Sequence, residues 1–409
     1  MRPVLLLALL VTACGGDASD PPRGAGGAAA QATAGGGGAS AGTAGAAAIG
    51  GAGAAGGGAA GGASAKTTTI RFHYPTTKTL SLRGDRGGLS WSAGVLLTKT
   101  APDTWTYTTT AIDAPAEVKP LLDDATWSRG PNFRVAPGGT LDAYPRFVEA
   151  HGRLDTLDPA FASKHLPDAR AVWAYLPPTY VENAAFRAPV LYLHDGQNVF
   201  GQAGAFGDWK AQATLDAGAE TGAIAEAIVI GVANTQARLD EYTPTFDASE
   251  GFGGDGDAYL SLLVDELKPR VDAAYRTLPS REHSGVMGSS LGGLISAYAG
   301  VTRGDVFGLV GAMSPSTWWD GRMIVGRVAS SPAPRPVRVY VDSGDSGPSS
   351  DGVADTKLLA EAYEAAGFTE GATLAYVVEP GGTHDEASWA RRLPGALAFL
   401  LGPRADLQK

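Results

Sequence analysis

Seven short apolar segments between residues 172 and 378, separated by stretches of helical spacing, constrain this chain more than any other feature. The segments 172–176, 189–193, 228–233, 284–287, 309–313, 337–341 and 374–378 are predominantly apolar and only four to six residues long. Runs of that length and character fit strands buried on both faces. Between them lie amphipathic stretches such as 258–270 and 356–366, the second placing Leu358, Leu359, Ala362 and Tyr363 on one face. Strand and helix alternating in this way predict a mostly parallel sheet wrapped by helices, an α/β domain over 160–405.

Upstream the pattern differs. Ile70, Phe72 and Tyr74 alternate with polar residues, as do Val95 with Leu97 and Trp105 with Tyr107, and Gly, Pro and Asp clusters punctuate the runs. Short alternating strands with frequent turns predict a small antiparallel β-sandwich over 67–150. Residues 15–66 are dominated by Gly, Ala, Ser and Thr and hold no aromatic residue. Such a tract buries too little to offset chain entropy, and is expected to be a disordered tether with a reach of roughly 40 Å.

The first fourteen residues read as a secretory leader: Arg2, an apolar run over 4–11, then Thr12-Ala13-Cys14. The segment 11–14 resembles a bacterial lipobox. That implies an exported protein anchored at the cell envelope by lipid on Cys14, with the membrane reached through that anchor alone. One cysteine excludes an internal disulfide framework. A net charge of −10 argues against nucleic acid as a partner, because phosphate binding calls for a basic face.

A serine nucleophile is the chemistry this frame suggests. With 57 glycines in the chain, the pattern G-x-S-x-G is weak evidence by itself. One match, 38–42, falls in the tether, where no scaffold holds it. The other, Gly288-Ser289-Ser290-Leu291-Gly292, follows a predicted strand and opens a predicted helix. A strand-to-helix elbow lifts the serine hydroxyl above the sheet edge, and the helix N-terminus aims the Leu291 amide at a developing oxyanion. The plain alternative is a glycine-rich turn. His384, in a loop after the last strand, stands where the base of a Ser–acid–His order belongs. His73, His151, His165, His194 and His283 are expected to be structural. The acid is open among Asp342, Asp345 and Asp351. Asp345 is expected, because Gly344 frees the backbone to turn the next side chain, and Asp351 reads as a helix cap. No zinc-hydrolase ligand pattern appears, and neither metal nor cofactor is implied.

Three segments carry a family resemblance: 191–200 with His194-Asp195-Gly196-Gln197-Asn198, the elbow 288–293, and Gly382-Thr383-His384 followed by Trp389. Over about 165–402 the chain resembles the esterase group that includes enterochelin-type siderophore esterases, feruloyl esterases and antigen-85 mycolyltransferases. The resemblance implies an α/β-hydrolase fold, an oxyanion hole completed by the Gln197 amide beside Leu291, and substrate-cleft positions at Arg238, Trp318 and Trp319. For the two tryptophans, packing is an equal alternative. Family members commonly place the acid three residues after a glycine corresponding to Gly344, where this chain has Gly347. The sandwich more loosely resembles carbohydrate-binding immunoglobulin-like modules, through 88–91, 103–105 and 117–120. The expected function is a serine carboxylic-ester hydrolase acting on an extracellular siderophore, feruloyl or acetyl sugar ester, or a similar small-molecule or glycan ester. The rivals are a catalytically idle glycan-binding protein and an acyltransferase.

Overall fold

The computed structural model describes residues 66–402 apart from 203, 205 and 332–334. The leader, Cys14 and the Gly/Ala-rich tract lie outside the described residues.

All seven apolar segments are strands of one eight-stranded sheet, but the last, Leu374–Glu379, is an edge strand with Val377 exposed and so is not buried on both faces as expected. The sheet order is Arg153–Phe161, Arg170–Leu176, Ile228–Val232, Val190–His194, Ser284–Ser289, Leu309–Met313, Arg338–Gly344, Leu374–Glu379. The six strands from Ile228–Val232 onward run parallel, and the first two pair antiparallel. Alternate residues of a strand feed opposite faces, as a period of two requires. Val190 and Tyr192 join the core cluster under helices Leu291–Thr302 and Val353–Ala365. Leu191 and Leu193 join the cluster under Ala211–Thr221 and Glu386–Leu401. In Val353–Ala365, Leu359, Ala362 and Tyr363 are buried as expected, whereas Leu358 is exposed.

The sheet starts earlier than residue 160. Arg153–Phe161 is its edge strand, with two register shifts along its pairing to Arg170–Leu176. Those irregularities and its Pro159 blur the period-two signal, and Pro is confined to edge strands or bulges.

The N-terminal region forms two small sheets. One has the order Thr98–Ala101, Thr104–Thr109, Thr68–His73, Thr140–Ala143; the other is built on Leu80–Gly84 and Ala116–Leu122. Thr68–His73 pairs with Thr140–Ala143 in parallel, so the sandwich is not wholly antiparallel. Its core holds Ile70, Phe72, Leu82, Trp105 and Val118. It is tied to the larger domain through polar contacts. The Glu182 carboxylate accepts from Tyr74 Oη (2.8 Å) and from the amides of Phe147, Val148 and Glu149 (2.7, 2.8 and 2.8 Å). Buried Arg146 ion-pairs with Glu220 (2.9 Å) and Glu226 (3.4 Å).

Candidate active site

Ser290 stands between strand Ser284–Ser289 and helix Leu291–Thr302 with φ 58° and ψ −123°. A non-glycine residue there is strained by ~1–3 kcal/mol, as the elbow requires. Its amide donates to Met313 O (3.0 Å), and its carbonyl accepts from the Ser316 amide (3.0 Å). Gly288 is obligatory: a Cβ there would lie 2.8 Å from His194 Cδ2 and 2.9 Å from the Gly292 carbonyl carbon. Ser290 Oγ is 3.5 Å from Ser316 Oγ, and among the described residues it has no hydrogen bond to His384.

His384 lies in the loop between strand Leu374–Glu379 and helix Glu386–Leu401, with Asp385 capping the helix by accepting from the Ser388 amide (2.8 Å). Its Nδ1 is 2.6 Å from Asp351 Oδ1, and its ring meets Trp389 edge-on at 5.1 Å. Asp351 is therefore the carboxylate against His384, and the expectation for Asp345 is corrected. Asp345 is exposed, and accepts from the Gly381 amide (2.7 Å), steadying the loop that carries His384. The chain after Gly344 curls back through Ser346–Ser350, so the later aspartate, not the nearer one, faces inward. Asp351 caps no helix: Gly352 holds the N-cap position of Val353–Ala365. Burial favours its neutral form, but hydrogen bonds from His384, Ser314 and the Gly344 amide hold its carboxyl below the usual value. Asp342, the other alternative, is fully buried and has other partners. It accepts from Tyr340 Oη (3.0 Å) and the Ser314 amide (3.0 Å), and burial pushes it up to about 6 against the charge of Arg392.

The proposed oxyanion amides both lie at helix starts. Leu291 is the first residue of its helix and Gln197 the second of Gly196–Val199, so neither has an intrahelical acceptor. Neither donates to a loop carbonyl or side chain among the described residues. The two turns abut, since a Cβ on Gly292 would lie 3.5 Å from Asp195 Oδ2.

Asp195 precedes Gly196 at φ 56°. Burial would raise its pKa, but Arg238, gripping both oxygens at 2.8 Å, and Asn234 at 2.6 Å hold it low. Arg238 thus braces this loop, with Nε and Nη2 committed to Asp195 and not offered to a substrate. His194, ahead of it, is buried beneath the elbow with Nδ1 2.8 Å from Tyr259 Oη; burial pushes it down to about 3, leaving it neutral. Trp319 is likewise corrected. It is fully buried, donates from Nε1 to Thr245 O (3.1 Å), and packs against Phe252. Trp318 is 46% exposed on the same loop and remains available to a ligand.

Arg392 is not legible in the sequence as a site residue. Arg392 follows Trp389 by one helical turn and shares its buried face, an unusual place for an arginine and the one signal that marks it.

Residues 163–400 match the model of the family described as Putative esterase. A Bacillus subtilis (strain 168) protein described as uncharacterized protein YbbA is 29% identical over 252 residues, covering 59% of this chain and 96% of that protein. A siderophore triacetylfusarinine C esterase of Aspergillus fumigatus is 30% identical over 142 residues, 34% of this chain and 47% of that protein, so the match spans about half of that relative. A solved ferulic acid esterase aligns with a TM-score of 0.49 at 22% identity, over 61% of this chain and 98% of that one. The family match spans more than half of the chain and contains Ser290, Asp351 and His384 together, and the chain belongs to the Putative esterase family.

Proposed function

We propose that this protein is a serine carboxylic-ester hydrolase working through an acyl-enzyme, with Ser290, His384 and Asp351 as its triad. The observation that carries this reading is the 2.6 Å contact of His384 Nδ1 with buried Asp351, on the same sheet edge as a serine held at positive φ. His384 Nε2 takes the Ser290 proton as Oγ attacks the ester carbonyl, and the amides of Leu291 and Gln197 receive the oxyanion. The alkoxide leaves with the proton from His384; water, activated by the same imidazole, then releases the acid and restores Ser290. Turnover of 4-nitrophenyl acetate by the purified protein tests this. Ser290→Ala is expected to lower kcat by several orders of magnitude at unchanged Tm, and near-normal turnover by that variant would overturn the mechanism.

A sugar-linked ester is the substrate class this reading favours. Trp91 and Trp127 are each 39% exposed on the sandwich, with ring centroids 6.2 Å apart and planes 40° apart. Arg83 lies 5.1 Å over the Trp127 ring and donates to Trp91 O. Paired exposed indoles present faces on which sugar rings stack, whereas Trp105 is buried in the core. Phe206, Phe246 and Trp318 are exposed on loops and Leu239 on the short helix Arg238–Glu241, which suits an apolar or aromatic acyl group. Export with lipid on Cys14 rests on the leader sequence, and the intact mass of the mature N-terminus checks it.

A further inference from the structure

We propose that Arg392, which touches no reacting atom, is a positioning residue that acts through Ser314 to aim the Ser314 hydroxyl proton at Asp351, so that Asp351 stays an anionic acceptor and keeps His384 available as a base. The proposal rests on the reading of Ser290, His384 and Asp351 as a triad.

The geometry of Ser314 leaves it one arrangement. Its Oγ is 3.0 Å from Trp389 Nε1, 2.6 Å from Arg392 Nη2 and 2.6 Å from Asp351 Oδ2. Indole and guanidinium nitrogens only donate, and a hydroxyl has one proton and two lone pairs. Both lone pairs are taken, so the proton points at Asp351. Asp351 Oδ2 also receives the Gly344 amide, and Oδ1 faces His384. A carboxylate met by donors on both oxygens stays an anion and an acceptor. The proton on the facing imidazole is therefore on Nδ1, and Nε2 keeps the lone pair that the reaction uses.

Arg392 also sets the local charge. Its side chain is 4% exposed and meets three carboxylates: Glu379 at 2.8 Å, Asp342 at 3.1 Å and Asp351 at 3.5 Å. The Asp342 contact is a poorly aligned one, a matter of charge more than of hydrogen bonding. The other ionisable groups facing the cluster are Tyr340, bonded to Asp342, and Arg391, bonded to Glu379. Asp345 and Asp385 lie on or against the His384 loop, and Glu386 opens the helix. Apart from His384, Arg392 is the cation paired with Asp351 among the described residues. Without it, Asp342 and Asp351 would be buried with little compensating charge. A more basic Asp351 would then stabilise the imidazolium, and the base would be lost at a higher pH.

The test is the pH profile of kcat/KM for 4-nitrophenyl acetate, with Tm, for the full chain and its Ser314→Ala, Arg392→Lys and Arg392→Met forms. The acidic limb is expected to move up by about one pH unit in Arg392→Met and by less in Ser314→Ala. Arg392→Lys, which keeps the charge, is expected to restore the limb to the wild-type position. A packing role alone would lower Tm and scale the profile without moving its limb. If Arg392→Met does not fold, a raised limb in Ser314→Ala with an unmoved one in Arg392→Lys supports the proposal. Coincident limbs in folded Ser314→Ala and wild type overturn it. Ser290→Ala separates the two levels: if it stays active the triad reading fails, and if it is inactive while the limbs coincide, only the role of Arg392 fails.

Discussion

Asp351 shows how little local sequence says about which carboxylate meets a given histidine. Asp342, Asp345 and Asp351 lie within ten residues, at the end of strand Arg338–Gly344 and on the segment after it, yet one is buried in a charge cluster, one holds a neighbouring loop and one faces His384. Asparagine at 351 would present an N–H where the His384 Nδ1 proton needs an acceptor, favouring the wrong tautomer. Asp351→Asn is therefore expected to lower kcat on 4-nitrophenyl acetate by about 10³–10⁴. Asp345→Asn keeps an oxygen for the Gly381 amide and is expected to stay within a few-fold of wild type. The reverse ranking, measured on folded variants, would remove Asp351 from the triad. The strain at Ser290 is the other residue-scale feature, sustained because its amide and carbonyl are both tied to the strand Leu309–Met313 and the loop beyond it.

Among the elements, the edge strand Arg153–Phe161 changes where the hydrolase unit begins. Its Phe161 is buried in one core cluster, while Leu154 and Leu157 pack against the two faces of the sheet. A fragment starting at Ala160 would lose nearly all of it and expose the pairing edge and apolar faces of Arg170–Leu176. Fragments 152–409 and 160–409 are expected to differ accordingly: the first monomeric and active on a small ester, the second lower in Tm and prone to aggregate. Equal Tm and equal activity would show the strand to be dispensable. The short helix Gly196–Val199 depends on close packing of another kind, because a Cβ on Gly196 would lie 2.4 Å from the Gly231 carbonyl carbon. That contact fixes how near the Gln197 amide comes to the elbow.

On the scale of the molecule, the sandwich and the hydrolase sheet are joined by buried charge as well as by the chain. Glu182 gathers four donors from the sandwich side, and Arg146 is buried against two glutamates. The Trp91–Trp127 pair belongs to the sandwich and makes no part of the triad. If the proposed glycan contact is made there, the wild-type protein is expected to be retarded in gels containing soluble xylan or glucan, and replacing both tryptophans with alanine is expected to abolish that retardation. Turnover of 4-nitrophenyl acetate should be unchanged. Undiminished retardation in the double variant would place any glycan contact elsewhere.

The amino-acid sequence by itself determined the class of fold, the seven strands, the strand-to-helix elbow at Ser290 and the loop that carries His384. These are set by short-range physics: apolar runs of strand length, helical periodicity, and glycines where a turn allows no Cβ. Only the tertiary structure decided what depends on residues far apart in the chain. It put Asp351 against His384, buried Trp319, turned Arg238 onto Asp195, and brought Arg392 from the last helix to Ser314 at the end of another strand. A loop conformation and a buried ion pair follow from which partners the fold delivers, and no local pattern encodes them.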